Sequence, residues 1–287
     1  MPLTSELVGH EFGHVSVRCD ARWLMAYAAG VPDERPELYD TTTELATHPM
    51  FPVAPEWELL ITHSSAPAAL TRAEVLRGVH ASHHVILERS IRPGEQIDIR
   101  ATVVGVDRRR VGATQQVQFA ATDADGDIVW RTLLSSLFLG VELDGDPACI
   151  DIDWPTTELS TAPAAPIAEQ TSHVRAVDAH VYSECARIWN PIHTDVAIAR
   201  SAGLTDPILH GTATMARGVS MATALAGWPL SDVRGVSGDF TSMVALDSTI
   251  TVRLLEAAGE QLRFEVLNAA GHRAISNGTL TRQLNDR

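Results

Sequence analysis

Residues 211–227 read GTATMARGVSMATALAG. Its many small residues, with Met215, Val219, Met221 and Leu225 among them, suit a long helix pressed closely against a sheet. The sheet follows directly. VRGVSGDF, STITVRLLEAA, QLRFEVLNAA and HRAISNGTLTRQ read as four strands, and Ile250, Val252 and Leu254 alternate as one buried face does. The turn NAAGH is short and carries glycine, as an antiparallel hairpin needs.

The residues before the helix carry the chemistry. Residues 186–195 read ARIWNPIHTD, and residues 202–211 read AGLTDPILHG. Asn190-Pro191 breaks the preceding helix, because a residue before proline is pushed out of helical geometry. His193 then projects from the loop, with Thr194 expected to cap the next helix and Asp195 favourable in its first turn. A held imidazole of near-neutral pKa is a natural general acid or base. Gly211 opens the long helix, where a backbone N–H can meet a carbonyl oxygen at the positive helix end.

The first half of the chain reads as a diverged copy. Val17-Arg18 precedes Asp20 and RWLMAYAAG; Val174-Arg175 precedes Asp178 and HVYSECARIWN. Asp20 and Asp178 are both expected as helix N-caps, and Gly30 as the end of the first helix. Strands follow in QIDIRATVVGV, GATQQVQFAATD and DIVWRTLLSSLFLG, with the glycine turn DADGD between the last two. The first half offers only a weaker counterpart to the long helix, AALTRAEVLRG at residues 68–78. The expected division is an N-terminal unit at 1–143, a Pro-, Ala-, Ser- and Thr-rich linker at 144–170, and a C-terminal unit at 171–287.

Composition narrows the alternatives. The chain has 287 residues, enough for about two domains. A formal net charge of −14 disfavours nucleic acid and makes an acidic carrier protein dependent on a local basic patch. The three cysteines, Cys19, Cys149 and Cys185, are widely spaced, which suits reduced thiols and gives no zinc spacing. The N-terminus lacks the features of a secretion signal, and no apolar run is long enough to cross a bilayer, so a cytoplasmic protein without membrane contact is expected. Neither a nucleophile elbow nor a dinucleotide fingerprint is present. His80, His83 and His84 have no acidic or thiol partner at ligand spacing, so they are read as structural; strand alternation sets His80 and His84 on one face and His83 on the other. Arg108-Arg109-Arg110 is read as a solvated turn, and Cys185 as a small buried side chain.

The paired segments resemble the signature of the MaoC-type (R)-specific enoyl-CoA hydratases and 3-hydroxyacyl dehydratases: Gly-Asp-x-Asn-Pro-(Leu/Ile)-His followed by Pro-Ile-Leu-His-Gly. In the first half, AYAAG, HPMFPVAPEW and VHASHHVILERSIRPGEQ resemble the family's degenerate repeat. The resemblance implies an α+β double hotdog, two antiparallel sheets each wrapping a long helix and joined side by side. It implies hydration of 2-enoyl thioesters, or the reverse dehydration, on coenzyme A or a carrier protein. His193 and Asn190 fall on the family's active-site positions and the Gly211 amide on its oxyanion donor. His210, Ile188 and Thr212 would line the substrate pocket, and the first unit would hold the acyl chain. No metal or organic cofactor is implied; a homodimer is open.

The match departs at two adjacent positions. The family's aspartate position holds Ile188, and the glycine before it is Arg187. Isoleucine cannot relay a proton, and losing such a group costs typically about 10²–10⁴-fold in rate. Glu184, one helical turn earlier, is a candidate replacement. The alternatives are a repurposed enzyme (isomerase, cyclase or altered elimination), a non-catalytic acyl-thioester-binding subunit, or a thioesterase.

Overall fold

The structure, a computed structural model, describes residues 3–63, 70–75, 77–155 and 165–283. The first unit runs β1 (Glu11–Cys19), α1 (Ala21–Gly30), α2 (Val53–His63), β2 (Gly78–Leu87), β3 (Glu95–Arg109), β4 (Gly112–Thr122) and β5 (Ile128–Leu139). The second runs β6 (Ala168–Val174), α3 (Asp178–Ala186), α4 (Val196–Ser201), α5 (Gly211–Ala226), β7 (Val233–Phe240), β8 (Ser248–Ala258), β9 (Gln261–Leu267) and β10 (Arg273–Arg282). All these strands form one antiparallel sheet in the order β1-β3-β4-β5-β2-β7-β10-β9-β8-β6. Within each unit the order is first, third, fourth, fifth, second. The internal repeat is therefore a repeat of topology, and the units meet where β2 pairs with β7. At that seam Val85 lies opposite Val236 and His83 opposite Gly238. The outermost strands are β1 and β6.

The apolar alternation read from sequence turns one sheet face inward. Ile97, Ile99 and Ala101 of β3 and Ile250, Val252 and Leu254 of β8 are buried in the shared core. Helix α5 lies on that face as expected, and its small residues are the reason it can. A Cβ on Gly218 would come within 2.8 Å of Phe264 and 2.9 Å of Val266.

The first unit's sheet-packed helix is not where the sequence suggested. It is α2, and the segment at 68–78 supplies only the turn Arg72–Val75, with residues 68–69 and 76 outside the described residues. In HPMFPVAPEW, Pro55 sits in the first helical turn, where its missing N–H goes unpaired in any helix. Glu56 of α2 is fully buried, accepting from Trp130 Nε1 at 2.8 Å and Thr132 Oγ1 at 2.6 Å. Part of the expected linker also joins the sheet: Ala148–Cys149 pairs with β3, and β6 begins at Ala168. Residues 156–164 lie outside the described residues.

Several local expectations change. Asp20 caps α1, accepting from the Trp23 amide at 2.9 Å. Asp178 instead is the first residue of α3, after the cap Val177. It accepts the Arg175 amide and pairs with the guanidinium groups of Arg175 and Arg217, each at 2.6 Å. Gly30 does not take a left-handed turn to end α1; it lets α1 and α3 touch, since a Cβ there would lie 2.8 Å from Cys185 Cβ. Helix α3 ends at Ala186, before Asn190-Pro191, with Arg187 left-handed at φ 59°. His80 and His83 do not point to opposite faces. A register shift between His80 and Ser82 interrupts the alternation, and the two rings touch with centroids 5.2 Å apart.

Burial raises the Glu56 carboxyl to about 8, against the weaker opposing effect of the Thr132 and Trp130 hydrogen bonds. The folded protein therefore holds a proton that the unfolded chain releases near its ordinary carboxylate pKa. Stability is full below that value and is lost as pH rises toward about 8. Glu56→Gln should flatten this decline between pH 5 and about 8, as read from urea midpoints at both ends.

Candidate active site

Helix α3, the loop after it and the start of α5 build the site. Arg217 projects from α5 to Asp178, so the buried ion pair ties the start of α3 to the central helix. At the other end of α3, the Ile188 amide donates to the Ser183 carbonyl at 3.0 Å. The exposed Arg187 guanidinium lies over the Trp23 ring, 4.1 Å from its centre. Asn190 then opens a short turn, Pro191–His193, its Oδ1 accepting from the Ile192 amide at 3.4 Å. Asp195, rather than Thr194, caps α4; its carboxylate accepts from the amides of Ala197 and Ile198.

This loop presents His193 inward, 8% exposed. Its Nδ1 lies 2.9 Å from the Ile208 carbonyl oxygen. A carbonyl only accepts, so Nδ1 carries the proton and Nε2 keeps its lone pair. Burial lowers the His193 pKa to about 4, against the smaller opposite effect of that hydrogen bond. The ring stacks on His210, with centroids 3.7 Å apart and planes at 25°. His210 Nε2 lies 3.1 Å from Ser183 Oγ, and its Nδ1 is buried beside the Ile188 backbone without a well-formed hydrogen bond. Burial and the neighbouring His193 hold it neutral, well below the usual imidazole range.

Gly211 follows at the first position of α5. It is exposed although the next residues along the helix are buried, and among the described residues its amide donates to no protein group. A Cβ there would sit 3.0 Å from the Phe240 ring. Thr212 is buried and accepts from Tyr182 at 3.2 Å; the Tyr182 hydroxyl lies 3.3 Å from that of Tyr27, which donates to the Met50 carbonyl. Ile188 is 3% exposed in the shared core.

His193, His210, Gly211, Thr212 and Ile188 thus come together, with Asn190 in the turn that carries His193. Glu184 does not join them. It is exposed on α3, and among the described residues no carboxylate lies within ion-pair distance of His193 or His210. Cys185 is half-buried against Gly30, and burial raises its pKa. Among the described residues no cluster of His, Cys, Asp or Glu has metal-binding geometry, and no helix is long and apolar enough to cross a membrane.

The first unit holds a feature that sequence reading passed over. The Asp33 amide donates to the Ala28 carbonyl at 3.1 Å, the bond that Ile188 makes to Ser183. Each acceptor directly follows one of the paired tyrosines, Tyr27 and Tyr182, so Asp33 is the structural counterpart of Ile188. Arg35 grips its carboxylate through Nε and Nη2. Those bonds, with Ser220 and His48 nearby, outweigh burial and hold Asp33 at about 2. His48 Nδ1 accepts the Met50 amide, and its Nε2 lies 3.0 Å from Ser220 Oγ. The signal was AAGVPD itself, whose last residue stands at the acid position in the copy that lacks the histidine.

Comparison with known proteins agrees with this geometry. Residues 159–277 match the MaoC like domain, and residues 6–132 match the FAS1-like dehydratase domain region. The two matches, one to each unit, are both to dehydratase domains, and the fold is the double hotdog. Among solved structures it is similar to a MaoC-like dehydratase from Phytophthora capsici, with 17% identity, 97% of each chain covered and a TM-score of 0.84. It is similar to peroxisomal multifunctional enzyme type 2 from Drosophila melanogaster, with 20% identity, a TM-score of 0.78, and 94% of this chain and 48% of that one covered. A Mycobacterium tuberculosis protein described as a double hotdog aligns at 14% identity and a TM-score of 0.60, covering 96% of this chain and 95% of that one. Comparison with curated protein sequences finds no match.

His193 should remain the Nδ1-protonated neutral tautomer down to about pH 4, as seen in two-dimensional ¹⁵N-edited NMR of its ring. A titration midpoint near 6.5 would show that burial does not act on it as described.

Proposed function

We propose that the protein is a hydro-lyase that adds water across 2-enoyl thioesters, or removes it from 3-hydroxyacyl thioesters. The observation that carries this reading is the pairing of an unprotonated His193 Nε2 with the free amide of Gly211 at the start of α5. The thioester carbonyl would accept from that amide, aided by the helix dipole, as enolate character develops at the α-carbon. In hydration, His193 Nε2 takes a proton from the water that attacks the β-carbon, and the resulting imidazolium delivers that proton to the α-carbon. In dehydration the same atoms run backwards. The Asn190 side chain stands in the turn beside His193 and would orient water or substrate.

The missing carboxylate shapes the mechanism. With Ile188 at the acid position, His193 is left as the acid–base group, and its neighbour His210 is neutral. The low pKa of His193 makes it a weak base that is always ready to accept, so activity should hold at neutral pH and fall only as pH drops toward about 4. Substrate would arrive on coenzyme A or a carrier protein's pantetheine, with the first unit housing the acyl chain and no further cofactor required. A non-catalytic acyl-binding subunit is the second reading, favoured by the buried Ile188.

Purified protein should consume the enoyl absorbance of trans-2-enoyl-CoA thioesters, and His193→Ala should lower kcat/KM by about 10²–10⁴-fold. Folded wild-type protein that binds the thioester without turnover would establish the second reading.

A further inference from the structure

His80 and His83 play no part in the proposed proton transfers, yet they stand beside the site. Directly paired residues on neighbouring antiparallel strands share a face. His83 pairs with Gly238, and a Cβ on Gly238 would lie 3.2 Å from Met215, one helical turn beyond Gly211 on α5. His83 therefore faces α5 from across the seam. His80 lies against Phe240, with ring centroids 4.5 Å apart, and Phe240 packs on the bare Cα of Gly211. Gly211, Phe240, His80 and His83 form a continuous series of contacts from the carbonyl-binding amide into the first unit.

The series ends on an unsatisfied group. His83 is completely buried, its Nδ1 3.3 Å from His80 Nε2, and its own Nε2 has no hydrogen-bond partner. A buried imidazole nitrogen left unpaired costs free energy that leucine at the same place would not. The sheet offers no reason for a polar residue here: the flanking partner on β5 is Leu134.

Resting on the thioester reading above, we infer that His80 and His83 form the polar far end of the acyl-binding site. There they select acyl groups that carry a hydroxyl or keto oxygen beyond the reacting carbons. Only one proton can lie between His80 Nε2 and His83 Nδ1, so His83 Nε2 is either a donor or an acceptor according to tautomer. A hydroxyl satisfies it in both states and a keto oxygen in one. His83 is buried and His80 half-buried, and desolvation keeps both neutral, lowering His80 to about 4, so they supply no cation to pair with a carboxylate.

The test compares two trans-2-enoyl-CoA substrates of equal length, one ending in a hydroxyl group and one in a methyl group. Wild-type kcat/KM should favour the hydroxylated substrate at least about tenfold, since a site built to bond an oxygen rejects the analogue lacking it. His83→Leu and His80→Phe should bring that ratio to about one, and His83→Gln should retain part of it. Binding of the corresponding saturated acyl-CoA pair by calorimetry should show the same preference without any turnover. If neither enoyl substrate reacts but the hydroxylated analogue binds more tightly in a His83-dependent manner, the hydro-lyase reading fails and the polar pocket stands. Equal efficiency and equal binding in wild type overturn the inference, as does a ratio unmoved in either folded variant. Should His83→Leu not fold, His80→Phe decides.

Discussion

The pairing of β2 with β7 is the constraint on which the rest of the molecule depends. Each unit arranges its strands in the same order and leaves its second strand uncovered, so the two open strands close against each other. Five residue pairs, from Gly235 with Ile86 to Asp239 with Ser82, fix the register. A slip of one residue would turn Val85 and Val236 out of the core and every neighbouring side chain with them. The same register brings His80 against Phe240 and so carries first-unit residues to a site whose histidine lies in the second. On the inner face, α1 and α3 repeat the crossing, meeting at Gly30 and Cys185 and at the two tyrosines.

Duplication has divided the polar residues of the acid–base motif between the copies. The second unit keeps the histidine and holds isoleucine at the acid position. The first keeps an aspartate there, gripped by Arg35, with Leu38 in the core. Asp33 bonds toward Ser220, deep along α5, whereas His193 stacks at the start of that helix. The two are thus parts of separate polar clusters, and among the described residues the imidazole has no carboxylate beside it. That accounts for its low pKa: burial has no neighbouring anion to oppose it.

The sheet, the long helix α5 and the histidine loop were legible in the sequence, because alternation, small-residue content and the Asn-Pro break are local signals. What stayed hidden depended on partners distant in the chain. HPMFPVAPEW hides α2 behind prolines that the first helical turn tolerates. The faces of His80 and His83 do not follow from sequence because a register shift is invisible to a two-residue period. Asp178 looks like a cap from its neighbours in sequence; its ion pair with Arg217, 39 residues away, takes precedence. Asp195 outcompetes Thr194 as a cap because its carboxylate reaches two amides at once.

Among the described residues the outer strands β1 and β6 give the sheet two open borders, each with a row of backbone groups that has no neighbouring strand on one side. Such borders invite further strands and so uncontrolled stacking of molecules. Here β1 carries Glu11, His14 and Arg18, and β6 carries Glu169, Gln170 and His173, all polar, with most of β6 exposed. Adding a strand to either would force these side chains to shed water against a new neighbour. The sheet can therefore be a long ribbon of strands while its polar rims oppose further edge-to-edge growth.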